Sequence, residues 1–115
     1  MTLSSAEFKA LRESMGLTTK WLSKRWGVAE YTVQRWESKR VVSERYGDDL
    51  LGLKREFDRE VWAKASQDVD VIHVPRAEQN REPAAMPASY ERAVAERVFE
   101  LAGTPIVYDD EDEAA

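Results

Sequence analysis

Residues 17–40 read LTTKWLSKRWGVAEYTVQRWESKR. The pattern predicts two short helices joined by a turn at Gly27, because glycine takes the positive φ of a helix C-terminal cap at little cost. Thr18 or Thr19 would cap the first of these helices, and the second would run from about Ala29 to Ser38. The stretch therefore predicts an ordered helical unit rather than a loop region.

The second of these helices has an apolar face and a polar face. Val33 and Trp36 fall on the apolar face, and we expect them to pack between helices together with Leu22 and Val28. The polar face consists of Glu30, Tyr31, Gln34 and Arg35. Such a helix fits the major groove of DNA, where Gln pairs with adenine, Arg with guanine and Glu with cytosine. In an alternative interpretation, Glu30 reads no base and only stabilises the N-terminus of the helix through the helix dipole.

Helical periodicity continues on both sides of this stretch. A serine cap and apolar residues three and four positions apart predict a helix over 5–15 that ends at Gly16. Ser43 is a good cap for a fourth helix that extends to about Ala65, with an interruption at one of its two glycines as the alternative. The apolar stripe of that helix consists of Tyr46, Leu50, Leu53, Phe57 and Val61.

The rest of the chain combines short strands with one helix. Residues 68–74 (DVDVIHV) alternate in polarity and are rich in β-branched side chains, so they predict a strand. Residues 75–88 contain three prolines and no periodicity, which predicts a loop. Ser89 would cap a helix that Gly103 ends, and a second strand would cover 106–108. The apolar face of that helix consists of Tyr90, Ala93, Val94, Val98 and Leu101.

These elements predict a mainly α fold, in which a helix-turn-helix bundle of four to five helices carries a small C-terminal strand–helix–strand (α+β) element. We place a helix-turn-helix DNA-binding domain at 1–66, a small dimerisation element at 67–108 and an acidic, disordered tail at 109–115. A strand, a helix and a strand favour a crossover with parallel strands. Because a two-stranded sheet is marginal alone, a second subunit could complete it, which favours a homodimer.

Composition excludes several classes of function. The 115-residue chain has no Cys, so disulfides, thiolate metal sites and cysteine nucleophiles are excluded. Its one histidine, His73, is expected to face solvent or a hydrogen bond, and neither a metal nor a cofactor is predicted. Paired carboxylates such as Asp48 and Asp49 stand beside no candidate base, and there is no glycine-rich phosphate loop. We therefore do not expect an enzyme.

The same inspection bears on location. No apolar run approaches the roughly 18 residues that a membrane span needs. The N-terminus, MTLSSAEFKALRES, lacks the charged-then-apolar order of a signal peptide. We therefore expect a cytoplasmic protein that has no membrane partner.

Charge is distributed unevenly along the chain. The net charge is −5, yet residues 1–66 carry 13 Lys and Arg against 10 Asp and Glu, whereas residues 67–115 carry 4 against 12. Within residues 18–45, seven basic side chains stand against three acidic ones. A local basic face attracts nucleic acid even when the whole protein is acidic. The alternative is that these side chains only solvate the surface.

Residues 5–40 resemble the Cro/C1-type (XRE) helix-turn-helix family of transcriptional regulators. The matching residues are Leu17, Thr18, Leu22, Gly27, Val28, Thr32, Val33, Trp36 and Glu37. The resemblance implies base contacts from Glu30, Tyr31, Gln34 and Arg35. It implies phosphate contacts near Thr19, Lys20, Ser38, Lys39 and Arg40. The same basic stretch includes Lys24 and Arg25, which we expect to add to a salt-dependent affinity for phosphates.

Three positions depart from the family pattern. The family often has glutamine at the position of Thr19 and glycine at the position of Lys39, so the phosphate contact and the turn there are expected to differ. Trp21 stands where the family usually has an exposed polar residue, which favours a cover from the C-terminal part or from a partner subunit, with a harmless surface aromatic as the alternative. Glu37 is expected to bond a backbone amide or a basic side chain within the domain. The other large aromatics expected in the core are Trp26, Trp36 and Trp62.

The order of elements along the chain, with the helix SYERAVAERVFEL at 89–101, is similar to that of repressors that accompany anti-CRISPR genes. This similarity implies autorepression by a homodimer on an inverted-repeat operator in bacteria or phage. The predicted function is therefore a sequence-specific transcriptional regulator of double-stranded DNA, with repression favoured. Two alternatives stay open, namely a protein-interaction module (an antitoxin or a phage protein that binds a host factor) and an RNA-binding regulator.

Overall fold

The structure, a computed structural model, describes residues 2–39, 41–78 and 85–110. In these ranges the elements are α1 (Ser5–Ser14), α2 (Thr19–Trp26), α3 (Glu30–Trp36), α4 (Glu44–Ala65), β1 (Ile72–Val74), α5 (Ala88–Ala102) and β2 (Ile106–Tyr108). The architecture is mainly α with one small strand–helix–strand element, which confirms the predicted fold class.

The first two helices begin at predicted caps, and α2 ends at the predicted Gly27, whereas α1 ends at Ser14, one residue before the predicted end, with Met15 as its C-cap residue. Ser4 and Glu7 form a capping box, in which the Ser4 hydroxyl accepts from the Glu7 amide at 3.1 Å and the Glu7 carboxylate accepts from the Ser4 amide at 2.8 Å. These bonds stabilise the charged carboxylate and so lower the pKa of Glu7. The Thr18 hydroxyl accepts from the Trp21 amide at 2.9 Å. Gly27 ends α2 in the left-handed conformation, at a φ of 66°.

α4 is the element on which the other helices pack. It runs without a break for 22 residues, so neither Gly47 nor Gly52 interrupts it. Ser43 is its N-cap residue, although the Ser43 side chain makes no capping hydrogen bond. The buried side chains of its apolar stripe are Leu50, Leu53, Phe57 and Val61. They form one core with buried residues of α1, α2, α3 and α5, so the helix-turn-helix and the C-terminal element share it.

An aromatic cluster occupies the N-terminal part of this core. It consists of Phe8, Trp26, Trp36 and Tyr46, whose contacting ring centroids lie 5.0 to 6.3 Å apart. Aromatic contacts of this kind stabilise a core beyond the area that they bury. The predicted core positions of Trp26 and Trp36 are confirmed, since Trp36 is buried and Trp26 is half-buried in the cluster.

Two predicted core residues are instead exposed. Trp62 is 62 % exposed because it follows the buried Val61, and one residue along an α-helix turns the side chain by about 100° away from the core. Leu101, in the last turn of α5, is 43 % exposed, although Val98 on the same stripe is fully buried. Periodicity predicts the direction of a side chain and does not predict how far its neighbours extend.

The C-terminal element is a crossover in which α5 connects the two strands. β1 covers only residues 72–74 of the predicted strand at 68–74, while β2 matches its predicted bounds. The two strands are parallel, as expected. The register pairs Ile72 with Ile106, His73 with Val107 and Val74 with Tyr108. α5 packs against both strands, and Arg92 donates to the Pro75 carbonyl at 2.9 Å, which fixes the end of β1 to α5.

The start of α5 joins the C-terminal element to the helix-turn-helix. Pro87 is the N-cap residue and the helix begins at Ala88, so the prediction that Ser89 caps α5 is wrong. The Ser89 hydroxyl donates instead to the carbonyl oxygen of Gly16, which follows α1. The Trp21 indole donates to the Ala85 carbonyl at 3.0 Å, so Trp21 is covered by the chain itself. Ser89 therefore makes a long-range hydrogen bond, although its position in the sequence is typical of a helix cap.

Tyr90 provides a second junction between α5 and α4. Its ring packs edge-on against Phe57 at a centroid distance of 5.5 Å, and its hydroxyl donates to Glu60 at 3.1 Å. Burial and the neighbouring carboxylates raise the pKa of Tyr90, so the phenol stays protonated and keeps donating this bond.

Candidate nucleic-acid interface

α3 exposes a set of side chains suited to reading base edges while its opposite face is locked in the core. Val33 is fully buried and Trp36 is part of the aromatic cluster. The exposed side chains are Glu30, Tyr31, Gln34 and Arg35, the four predicted base contacts. The structure therefore brings all four to one surface, which we call the α3 face. α3 ends at Trp36, two residues before the predicted end, and residues 37–39 form a turn.

The turn between α2 and α3 sets the position of this surface. Gly27 adopts a φ of 66°, and the Val28 amide donates to the Ser23 carbonyl at 3.0 Å. Ala29 is the N-cap residue of α3 and makes no side-chain capping bond. Because the cap contributes little, the burial of the inner face of α3 must hold this short helix in place.

Tyr31 and Arg35 form a cation–π pair on the α3 face. The Arg35 guanidinium lies 5.6 Å from the centroid of the Tyr31 ring, and the Tyr31 side chain is 66 % exposed. Arg35 has no carboxylate partner among the residues that the structure describes. Its charge and its donors therefore remain directed to solvent, beside a large exposed aromatic ring.

The first residue of α2 is linked to the first residue of α3. The Thr19 hydroxyl donates to the Glu30 carboxylate at 2.7 Å. A hydroxyl has one proton to donate, so this bond competes with the phosphate contact that the resemblance implies for Thr19. The sequence did not suggest this contact, because the two residues are eleven positions apart and belong to different helices.

Arg25 differs from the other predicted phosphate contacts. Its guanidinium makes a two-point contact with the Asp49 carboxylate, at 2.7 and 3.1 Å, and the Trp26 indole donates to the same carboxylate at 2.7 Å. The bonds between them lower the pKa of Asp49 and raise that of Arg25. Arg25 therefore fastens α2 to α4, and its charge is balanced within the protein.

Four of the other predicted phosphate contacts are exposed, on α2 and in the turn after α3. Lys20 and Lys24 lie on α2, and Lys39 lies in the turn after α3. Ser38, in the same turn, is exposed, and its hydroxyl donates to the Arg35 carbonyl at 3.2 Å. The prediction for Arg40 falls outside the described residues. Unlike Arg25, these three lysines are exposed cations that have no ion pair with any residue that the structure describes.

Glu37 has the structural role that was predicted for it. Its carboxylate makes a two-point ion pair with Arg12 of α1, in which the Nη2–Oε1 distance is 3.0 Å. Arg12 also donates to the Leu17 carbonyl at 2.8 Å, so one side chain ties α1 to the start of α2 and to the end of α3. Both side chains are largely buried. Sequence reasoning found the carboxylate but did not identify Arg12 as its partner.

Other site chemistries find little support in the described ranges. No group of three or more His, Asp or Glu in residues 2–39, 41–78 and 85–110 could hold a metal ion. Among the helices of these residues, none has both the length and the apolar character that crossing a bilayer requires. His73 is exposed on β1, as predicted. The acidic tail is described only as far as Asp110, which pairs with Arg76 at 3.0 Å.

Comparison with known proteins adds no assignment to these observations. No protein-family model matches the sequence, and no curated protein matches it.

Proposed function

We propose that the protein is a sequence-specific regulator that binds double-stranded DNA as a homodimer and acts as a repressor. The observation that carries the proposal is the α3 face. Glu30, Tyr31, Gln34 and Arg35 are all exposed on one helix, whose inner residues Val33 and Trp36 are buried. Because its inner face is packed in the core, α3 can present these side chains to base edges in a fixed position in the major groove.

The lysines around the α3 face would supply the affinity. A lysine that contacts a phosphate releases a counterion, so log K falls by about 0.9 per contact for each unit of log salt concentration. Lys20, Lys24 and Lys39 are exposed in each protomer. For a dimer with all of these lysines on phosphates, we expect a slope of about −5. Arg25 is not included, because Asp49 already balances its charge.

The homodimer is proposed from the C-terminal element. Its described sheet has only two strands, and such a sheet is marginal in isolation. Among the described residues, large apolar side chains are exposed at Val69, Phe99 and Leu101, and at Trp62 near the end of α4. Contact with a second subunit would remove this apolar surface from water. Trp21 no longer supports a dimer, because Ala85 of the same chain covers it.

A titration against DNA tests the proposed function. The full-length protein would be titrated against the duplex upstream of its own gene and against a scrambled duplex, at several salt concentrations. We expect a shift specific for the first duplex, two protomers per site, and the salt slope given above. Weak and equal binding to both duplexes would contradict the proposal, and light scattering that shows a monomer on the duplex would contradict the dimer.

Arg35→Ala tests whether the α3 face reads bases. We expect the variant to lose about 1–3 kcal/mol of binding free energy on the cognate duplex and much less on scrambled DNA, because a guanine contact is lost only on the cognate site. Arg97→Ala is the control, since it removes an arginine of α5 that is also exposed. An equal loss for Arg35→Ala on both duplexes would show that Arg35 holds a phosphate.

A further inference from the structure

The Tyr31–Arg35 pair has a geometry that bears on which base step the α3 face reads. The two residues are one helical turn apart, and the guanidinium lies 5.6 Å from the ring centroid. Tyr31 is 66 % exposed, and no described residue bonds its hydroxyl. The Arg35 guanidinium lies over the ring, yet most of the Tyr31 side chain stays in water, and contact with an apolar group would remove ring surface from water, which is favourable.

The position of the ring follows from how arginine contacts guanine. A guanidinium that donates to the O6 and N7 atoms of guanine lies close to the plane of that base. When the Tyr31 ring packs on the face of that guanidinium, the ring is displaced along the DNA axis toward a neighbouring base pair, and successive base pairs are about 3.4 Å apart. At that level of the major groove, the C5 position of the pyrimidine projects from the base edge, and in thymine it carries a methyl group.

On this basis, and resting on the proposed function, we propose that Tyr31 reads the C5 methyl group of a pyrimidine in the base pair next to the guanine that Arg35 contacts. The α3 face would then prefer thymine over uracil and 5-methylcytosine over cytosine at that position. The ligand is a C5-methylated pyrimidine beside guanine in duplex DNA, and the site is sensitive to a single methyl group.

The contact needs both members of the pair. By its own contact with guanine, Arg35 sets the position of the Tyr31 ring along the DNA axis. The ring supplies the apolar surface that contacts the methyl group. Gln34 and Glu30 offer no comparable apolar surface, since their exposed groups are an amide and a carboxylate. Within the α3 face, the methyl preference is therefore assigned to Tyr31 alone.

The test begins with a duplex that the full-length protein selects from a randomised library. Each guanine of the selected site is replaced in turn with 7-deazaguanine, which lacks the N7 acceptor that Arg35 uses. The guanine that Arg35 contacts is the one whose replacement weakens DNA binding by the unmodified protein and does not change DNA binding by the Arg35→Ala variant. The methyl group of the pyrimidine is then removed or added in each neighbouring base pair, by exchanging thymine with uracil or cytosine with 5-methylcytosine.

We expect loss of the methyl group in one of these base pairs to weaken binding about fourfold, the factor that corresponds to about 0.8 kcal/mol for one buried methyl-sized group. Addition of the methyl group to a cytosine there would strengthen binding by a similar factor. Tyr31→Phe should keep the effect, because it retains the ring, and Tyr31→Ala should abolish it.

Two results would overturn the inference. One is the absence of any methyl effect in both neighbouring base pairs. The other is an effect of equal size in Tyr31→Ala, which would mean that another side chain or the stiffness of the DNA causes it. Failure to select any duplex would instead contradict the proposed function. A selected duplex in which no guanine depends on Arg35 would contradict the base contact of Arg35 on which the inference rests, so the failures are distinguishable.

Discussion

Replacement of Gly16 with alanine is expected to lower the free energy of unfolding by about 2–5 kcal/mol. Gly16 has a φ of 66°, which costs a residue with a Cβ about 1–2 kcal/mol. A Cβ at this position would also lie 2.1 Å from the carbonyl oxygen of Ser89 and 2.5 Å from its carbonyl carbon. Moving that backbone is a form of overpacking, which costs about 1–3 kcal/mol more. Urea unfolding measures the sum.

Gly27→Ala is the matched control for this prediction. Gly27 has the same φ of 66°, but a Cβ there would meet nothing within 4 Å. We therefore expect a loss of only about 1–2 kcal/mol, from backbone strain alone. Equal losses for the two variants would show that the Ser89 carbonyl lies too far from Gly16 to contact a Cβ there. That result would argue against the packing of the C-terminal element on the end of α1.

Arg12→Met is expected to destabilise the protein by about 3–5 kcal/mol, because it leaves the Glu37 carboxylate in a largely buried position without its cation. The exposed fractions of the two side chains are only 14 % and 10 %. The variant also removes the donor to the Leu17 carbonyl, so α1, α2 and the end of α3 lose a shared connection. Urea unfolding followed by tryptophan fluorescence measures the loss.

Two further variants separate the causes. The double variant Arg12→Met/Glu37→Met removes both charges and should recover much of the stability, because no unpaired buried charge remains. Arg59→Met breaks the exposed Arg59–Glu56 pair of α4 and should cost less than about 1 kcal/mol. A loss as small as this for Arg12→Met, or a double variant as unstable as the single one, would contradict the prediction.

Most of the helical architecture could be predicted from local sequence, because caps and periodicity act over a few residues. The capping box at Ser4, the Thr18 cap and the left-handed Gly27 are all present. The buried stripe of α4 and the parallel pairing of the two strands were also predicted correctly. Ser89 was misassigned, since a serine that precedes a helical stripe has the same local signature whether it caps the helix or bonds a distant carbonyl.

The candidate site was predicted in part. The exposure of Glu30, Tyr31, Gln34 and Arg35 follows from the apolar spacing of α3, so the α3 face was predictable. The contacts that modify it were not. Asp49 balances the charge of Arg25, and the Glu30 carboxylate accepts a hydrogen bond from the Thr19 hydroxyl. Each contact joins residues on different helices, and no local pattern encodes which helices meet.

By itself, the sequence determined where α1, α2 and α4 begin, which helix faces are apolar and which side chains α3 presents. These properties depend on backbone propensity, capping and periodicity, whose range is one or two turns. Only the tertiary structure decided which charges remain available, that Trp21 is covered and that Trp62 is not. Those outcomes depend on distances between segments far apart in the chain, and such distances are set only when the shared core packs.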